Sequence, residues 1–258
     1  MEYKKMNKGV NVYHYTSIEV LKKILLSQRL RFTKMNSLND KSEYKYGIQL
    51  LKNKIIEYET NNNICSRFDI NLLDKFSFSD KLYSISFTEN GDDLAFWNSY
   101  YVDKISPISI VFKSDNVFSN NDFKINHCIY DDPYPLMGKA RYEWFKQIFE
   151  IRNIMQISKN REYIHITFQT AHIKQKAFEI EKEWRAVSFG SKNGSFGKFV
   201  KNNKEVDYFD QPFNVESICE IIVGPSIQQE QNYQEVTSLI SKRKLKFLVK
   251  KSTIPLEL

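Results

Sequence analysis

Short alternating stretches separated by turn residues recur along this chain, and they limit the available folds more than any other feature. "VYHYT" near the start, "LYSISFT" (82–88), Ile108 to Phe112, "EWRAVSF", "KEVDYF" and "CEIIVGP" have the period of two, or the short apolar run, of strands packed in a sheet. Leu30 to Phe32 and Leu245 to Val249 read as shorter strands. Gly190, Gly194 and Gly197 mark a hairpin, and Gly224-Pro225 closes another strand. Helical stripes are fewer: Ile18, Leu21, Ile24 and Leu25 behind a Ser17 cap, then Tyr44, Ile48, Leu51 and Ile55, then Tyr142, Phe145, Ile148 and Phe149, and last Glu230 to Lys242. This order predicts an α+β fold: a single domain over 1–258 with one mixed, mainly antiparallel sheet and a helical insertion at about 139–178.

The 258 residues are 41% hydrophobic and 14% aromatic, enough to bury a core without covalent staples. Cys65, Cys128 and Cys219 lie far apart with no C-x-x-C spacing, which predicts reduced thiols and no metal site. With neither a leader-like start nor an apolar run of membrane-spanning length, the expected location is cytoplasmic, without a membrane partner. The net charge of +7 is uneven: Lys242, Arg243, Lys244, Lys246, Lys250 and Lys251 crowd one region, and Lys192, Lys198, Lys201 and Lys204 surround the glycine turns. Such clusters suit RNA or DNA, or are simply solvated surface.

No G-x-G-x-x-G follows a strand, and neither a phosphate-loop motif nor a G-x-S-x-G elbow is present, which counts against the dinucleotide-fold, nucleotide-loop and common hydrolase classes. His165 and His172 lack carboxylate or cysteine partners at ligand spacing. Two features remain. His14 sits at a strand end beside Tyr15 and Thr16, with the polar Asn39, Asp40 and Glu43 further along; it is either a site residue or a core-edge histidine bonded to a carbonyl. In "FEIEKEWRAVSF", Glu179, Glu181 and Glu183 share one face if the strand reaches that far. They either fan into solvent to pair with lysines or Arg185, or place one glutamate in a cleft where its charge stabilises a developing cation.

"YHYTS", "LND" with Glu43, "SISFT", Trp97 with Tyr100, "EKEWRAV" and "EIIVGP", in this order, resemble a bacterial family of domains of unknown function. The order of histidine, aromatic segment and late glutamate is more distantly similar to the ADP-ribosyltransferases. That resemblance implies an enzyme that consumes NAD as substrate and modifies a macromolecular target, protein or nucleic acid, as a toxin or phage-defence effector does. It implies that His14 bonds ribose, Tyr100 or Tyr101 stacks on nicotinamide, and Glu183 opposes charge on the ribose. Tyr15, Thr16, Ser86, Trp97, Glu181 and Arg185 are the expected further NAD contacts, and Asn39, Asp40 and Glu43 the expected contacts to the acceptor. His14, Ser86 and Glu183 are then expected on adjacent strands lining one cleft, with Trp97 or Tyr100 as its wall. The alternative is a non-catalytic nucleic-acid-binding module using the basic C-terminal region.

Overall fold

The computed structural model describes residues 9–37, 42–65, 82–99, 105–118, 125–130, 139, 142–143, 168, 170–201 and 203–255, with backbone alone for Ser42 and Glu43. β1 (Asn11–Ser17), α1 (Ile18–Ser27) and β2 (Arg29–Lys34) follow one another almost without a loop. Ser17 ends the strand and caps the helix, its Oγ accepting the Val20 N–H at 3.3 Å. Gln28, at φ 51°, ends the helix by donating its N–H to the Ile24 carbonyl at 2.8 Å, and this one left-handed residue turns the chain directly into β2.

The other elements among the described residues are α2 (Ser42–Asn61), β3 (Tyr83–Thr88), α3 (Leu94–Ser99), β4 (Pro107–Lys113), β5 (Ile125–His127), β6 (Ile129–Tyr130), β7 (Ile173–Lys174), β8 (Glu183–Ser188), β9 (Ser195–Lys201), β10 (Lys204–Pro212), β11 (Ile218–Val223), α4 (Gln229–Lys242) and β12 (Leu248–Lys251). Among the described residues ten strands form one sheet in the order β12-β11-β4-β1-β3-β2-β10-β9, with β8 also on β3 and β5 beyond it. Its pairings are antiparallel except β11 with β12, which α4 connects. A separate two-stranded parallel sheet joins β6 to β7. The fold is α+β with a mixed, mostly antiparallel sheet and few helices.

One face of the large sheet carries the main core. Val12, Phe32, Ile85, Phe87, Ile110, Phe112, Trp184 and Phe209 pack there with Ile18 and Leu21 of α1 and Val236 and Ile240 of α4. On the other face Trp97, Val111 and Ile222 form a small cluster with Tyr13 and Tyr15. Gly91 lets the Tyr13 ring lie against the backbone, because a Cβ there would meet ring carbon Cε1 at 2.1 Å.

The sheet splits along β3. One edge of β3 pairs with β8 over its whole length. The other is shared by two strands: Thr88 pairs with Tyr13 of β1, while Ser84 and Tyr83 pair with Thr33 and Lys34 of β2. Between these contacts neither strand is in register with Ile85, Ser86 or Phe87 on that edge.

Three sequence expectations need correcting. The final strand begins at Leu248 rather than Leu245, because Lys244 and Leu245 still donate to the Ser241 and Ile240 carbonyls at the frayed helix end. Residues 176–181 form a 3-10 turn rather than strand or α-helix, and Lys182 follows it at φ 40°. The alternation that was to align Glu179, Glu181 and Glu183 therefore breaks before β8. Most of the proposed insertion, 139–178, lies outside the described residues; the part that is described ends in β7 and the start of that 3-10 turn.

Candidate active site

A cleft of about 300 Å³ opens over the split, lined by Tyr13, His14 and Tyr15 of β1, Arg31 and Thr33 of β2, residues 84–88 of β3, Phe96 of α3, Glu181, Glu183, and Lys201 of β9. Its size is at the lower end for small-molecule sites. His14, Ser86 and Glu183 thus border one cleft from adjacent strands, as the sequence suggested. Strict alternation alone would have separated two of them. His14 lies opposite Ile110 on β4, with the core-facing residues, whereas Glu183 lies opposite Thr88, which belongs to the other face. The split resolves this: the imidazole fills the gap in the sheet, its Nδ1 donating to the unpaired Ser86 carbonyl at 3.0 Å and its ring resting at 5.6 Å from Phe87. Burial holds its pKa below the ordinary histidine value despite that hydrogen bond, so near neutral pH it is an uncharged ring with Nδ1–H donating and Nε2 able to accept. The backbone-bonded histidine and the site histidine are one residue in one position.

The carboxylate side is a buried ion cluster. Glu183 is 4% exposed, Lys174 4% and Arg185 2%. Arg185 Nε and Nη2 grip the carboxylate at 2.9 Å each, and Lys174 Nζ donates to Glu183 Oε2 at 2.8 Å and to Glu181 Oε2 at 2.6 Å. Burial alone would raise the pKa of Glu183. Arg185 and Lys174, with the Ser86 hydroxyl, override it and hold the value at about 2. The backbone is also fixed: the Glu183 N–H donates to the Tyr130 hydroxyl at 2.7 Å, and the Cys128 N–H donates to the Glu183 carbonyl at 2.8 Å. The turn carrying Glu181 is latched to the end of β3, since Thr88 Oγ1 donates to the Glu181 carbonyl at 2.6 Å and Asn90 Nδ2 to the Ile180 carbonyl at 2.8 Å.

Among the cleft residues, the buried Ser84 Oγ has no hydrogen-bond partner. Phe96 forms the aromatic wall, stacked on Tyr15 at 5.3 Å between centroids. The Tyr15 hydroxyl donates to the Asn90 carbonyl at 2.9 Å and accepts the Asp93 N–H at 3.1 Å, so that ring is locked in place.

Several expected contacts are not in the cleft. Trp97 is 3% exposed, packs on Gly224 and donates its Nε1 to Asp92 at 3.0 Å; its neighbour Phe96 takes the wall position. Thr16 and Arg185 are not among the lining residues, and Arg185 acts through Glu183. Tyr100, Tyr101, Asn39 and Asp40 lie outside the described residues, as does the Glu43 side chain. His165 also lies outside them, while His172 is buried with Nδ1 and Nε2 facing the Phe168 and Arg185 carbonyls at 2.6 and 3.0 Å. Tyr13, Arg31 and Thr33 were missed, although alternation in "VYHYT" and "RLRFT" sets them opposite core residues. Lys174, in a two-residue strand, had no local signal.

The basic clusters are partly neutralised. Lys250 and Lys251 pair with Glu220 and Glu230 at 2.9 and 3.0 Å, and Lys198 pairs with Glu205 at 2.9 Å. Arg31 forks onto Asp210 and stacks on Tyr208 at 3.5 Å. No helix among the described residues is long and apolar enough to cross a membrane. No family model, curated protein or solved structure matches the chain, so the site is interpreted from its own geometry. That geometry offers a neutral ring able to bond a hydroxyl, a flat aromatic wall, and an anion that stays ionised, all at a break in a sheet.

Proposed function

We propose that the protein is an NAD-consuming ADP-ribosyltransferase acting on a macromolecular acceptor. One observation carries this reading: His14, Ser86 and Glu183 meet at the split between β1 and β2, beside the Phe96 wall. In the reaction the bond between ribose C1′ and the nicotinamide nitrogen breaks, its electron pair leaves with nicotinamide, and a nucleophile of the acceptor attacks the cationic C1′ and loses its proton to water. His14 contributes a neutral hydrogen-bonding edge for a ribose hydroxyl. Phe96 gives a flat face for the departing ring. Glu183, with its pKa held at about 2, is too weak a base to take a proton near neutral pH and acts as a fixed anion against the charge building on the ribose. A cleft of about 300 Å³ holds the nicotinamide riboside half, and the phosphates extend toward Arg31 and Lys201 at the rim. Glu181, on the same cleft and one turn away along the chain, faces the acceptor.

The test measures NAD binding by calorimetry and nicotinamide release, with the protein alone and with cell extract, protein-depleted extract or purified nucleic acid as acceptor source. Nicotinamide release that depends on acceptor, together with transfer of label from adenine-labelled NAD to a macromolecule, is the expected result. A protein that binds no NAD and releases no nicotinamide under any of these conditions sinks the reading.

A further inference from the structure

Resting on the transferase reading, we propose that Lys174 is the positioning residue of the site, tying the Glu181 and Glu183 carboxylates into one unit so that Glu183 stays oriented at the cleft. Lys174 is absent from the cleft lining, so it reaches a substrate only through the glutamates. It comes from β7, in the small sheet with β6, and so approaches from outside β8. Arg185 sits two residues from Glu183 on the same strand and moves with it; Lys174 ties that strand to a second sheet. The same small sheet supplies the Tyr130 hydroxyl that takes the Glu183 N–H at 2.7 Å, so β6 and β7 together hold the residue by backbone and side chain. The two glutamates cannot be aligned by strand alternation, because Lys182 at φ 40° separates a 3-10 turn from the strand. Lys174 Nζ bridges that break, at 2.6 Å from Glu181 and 2.8 Å from Glu183, with the Phe178 ring 5.1 Å away.

Stability is a poor explanation for this arrangement. A buried ion cluster usually gains little over well-packed apolar side chains of similar volume, because each charge loses its hydration. Four ionic side chains gathered at one wall of a cleft are better explained by the geometry they impose. Lys174 and Arg185 also balance Glu181 and Glu183 in charge, so the cluster can stay ionised without a counter-ion from solvent.

The experiment compares wild type, Lys174→Met, and Lys174→Met combined with Glu181→Gln, which restores the charge balance and guards against simple misfolding. Two quantities are read: kcat and KM for NAD from nicotinamide release, and the carboxyl titration of Glu183 by carbon NMR, assigned by comparison with Glu183→Asp. If Lys174 positions Glu183, Lys174→Met loses kcat by about tenfold to a hundredfold, the range found for outer partners that orient metal ligands. KM stays nearly unchanged and Glu183 titrates at higher pH than in wild type. If Lys174 merely neutralises Glu181, Glu183 titrates in the double variant as it does in wild type, and the proposal is overturned. Should wild type release no nicotinamide, the transferase reading falls by itself; the titration then decides whether Lys174 holds Glu183, with an unmoved value counting against it.

Discussion

Replacing Glu183 by glutamine tests the ion cluster before it tests any reaction. The carboxylate receives donors from Arg185 and Lys174 on both oxygens, so an amide NH₂ would face a donor with another donor. Two buried cations would then share Glu181 as their carboxylate in the cluster. Losing one partner of a buried ion pair costs about 3–5 kcal/mol. An independent route gives a similar figure. The carboxyl pKa falls from an ordinary 4.5 to about 2 in the folded protein, and at about 1.4 kcal/mol per pH unit this amounts to about 3 kcal/mol. Because the folded value is the lower one, that stability is present above pH 4.5 and drains away as pH falls toward 2, with about 2 kcal/mol lost by pH 3. Urea unfolding of wild type and Glu183→Gln from pH 7 to pH 3 checks the reasoning. The variant should be less stable by several kcal/mol at pH 7, and the gap should narrow steadily below pH 5 as the carboxyl of the unfolded wild-type chain takes up its proton while the folded one stays ionised. A gap that is absent at pH 7, or that stays constant down to pH 3, refutes the cluster as described. Activity of Glu183→Gln is meaningful only below the melting temperature this experiment establishes.

Three further outcomes follow from the geometry. Gly91→Ala should lower stability by about 1–3 kcal/mol, because its Cβ would enter the Tyr13 ring; a thermal melt measures this, and NAD binding should weaken as the ring shifts in the cleft. His14 and His172 are both held below the ordinary histidine pKa by burial, so stability present above about pH 6.5 should begin to fall below it, before the Glu183 window; urea midpoints that stay level from pH 7 to pH 5 would contradict this. Reversing the charge of Lys242 and Lys244 together should change stability by no more than about 0.5 kcal/mol; if RNA or DNA binding measured across a salt series also stays the same, the C-terminal cluster is solvated surface rather than a polyanion site.

Local pattern determined the parts of this protein that depend on local physics. The Ser17 cap, the stripe Ile18, Leu21, Ile24 and Leu25, and the alternation of "LYSISFT" and "EWRAVSF" were legible because a helix stripe or a strand face needs only near neighbours in sequence. The same alternation, followed strictly, would have put Tyr13 rather than His14 beside Glu183. Only the tertiary structure decided otherwise, because the split along β3 leaves the Ser86 carbonyl unpaired and the His14 ring moves in to satisfy it. Phe96 displaced Trp97 as the cleft wall for a similar reason: one helix turn carries both, and which one faces the cleft depends on what the other packs against, here Gly224 across 127 residues of chain. Lys174 was out of reach altogether. A two-residue strand has no periodicity to read, and its ammonium acquires meaning only where folding buries it between two carboxylates that a left-handed residue has set on different pieces of backbone.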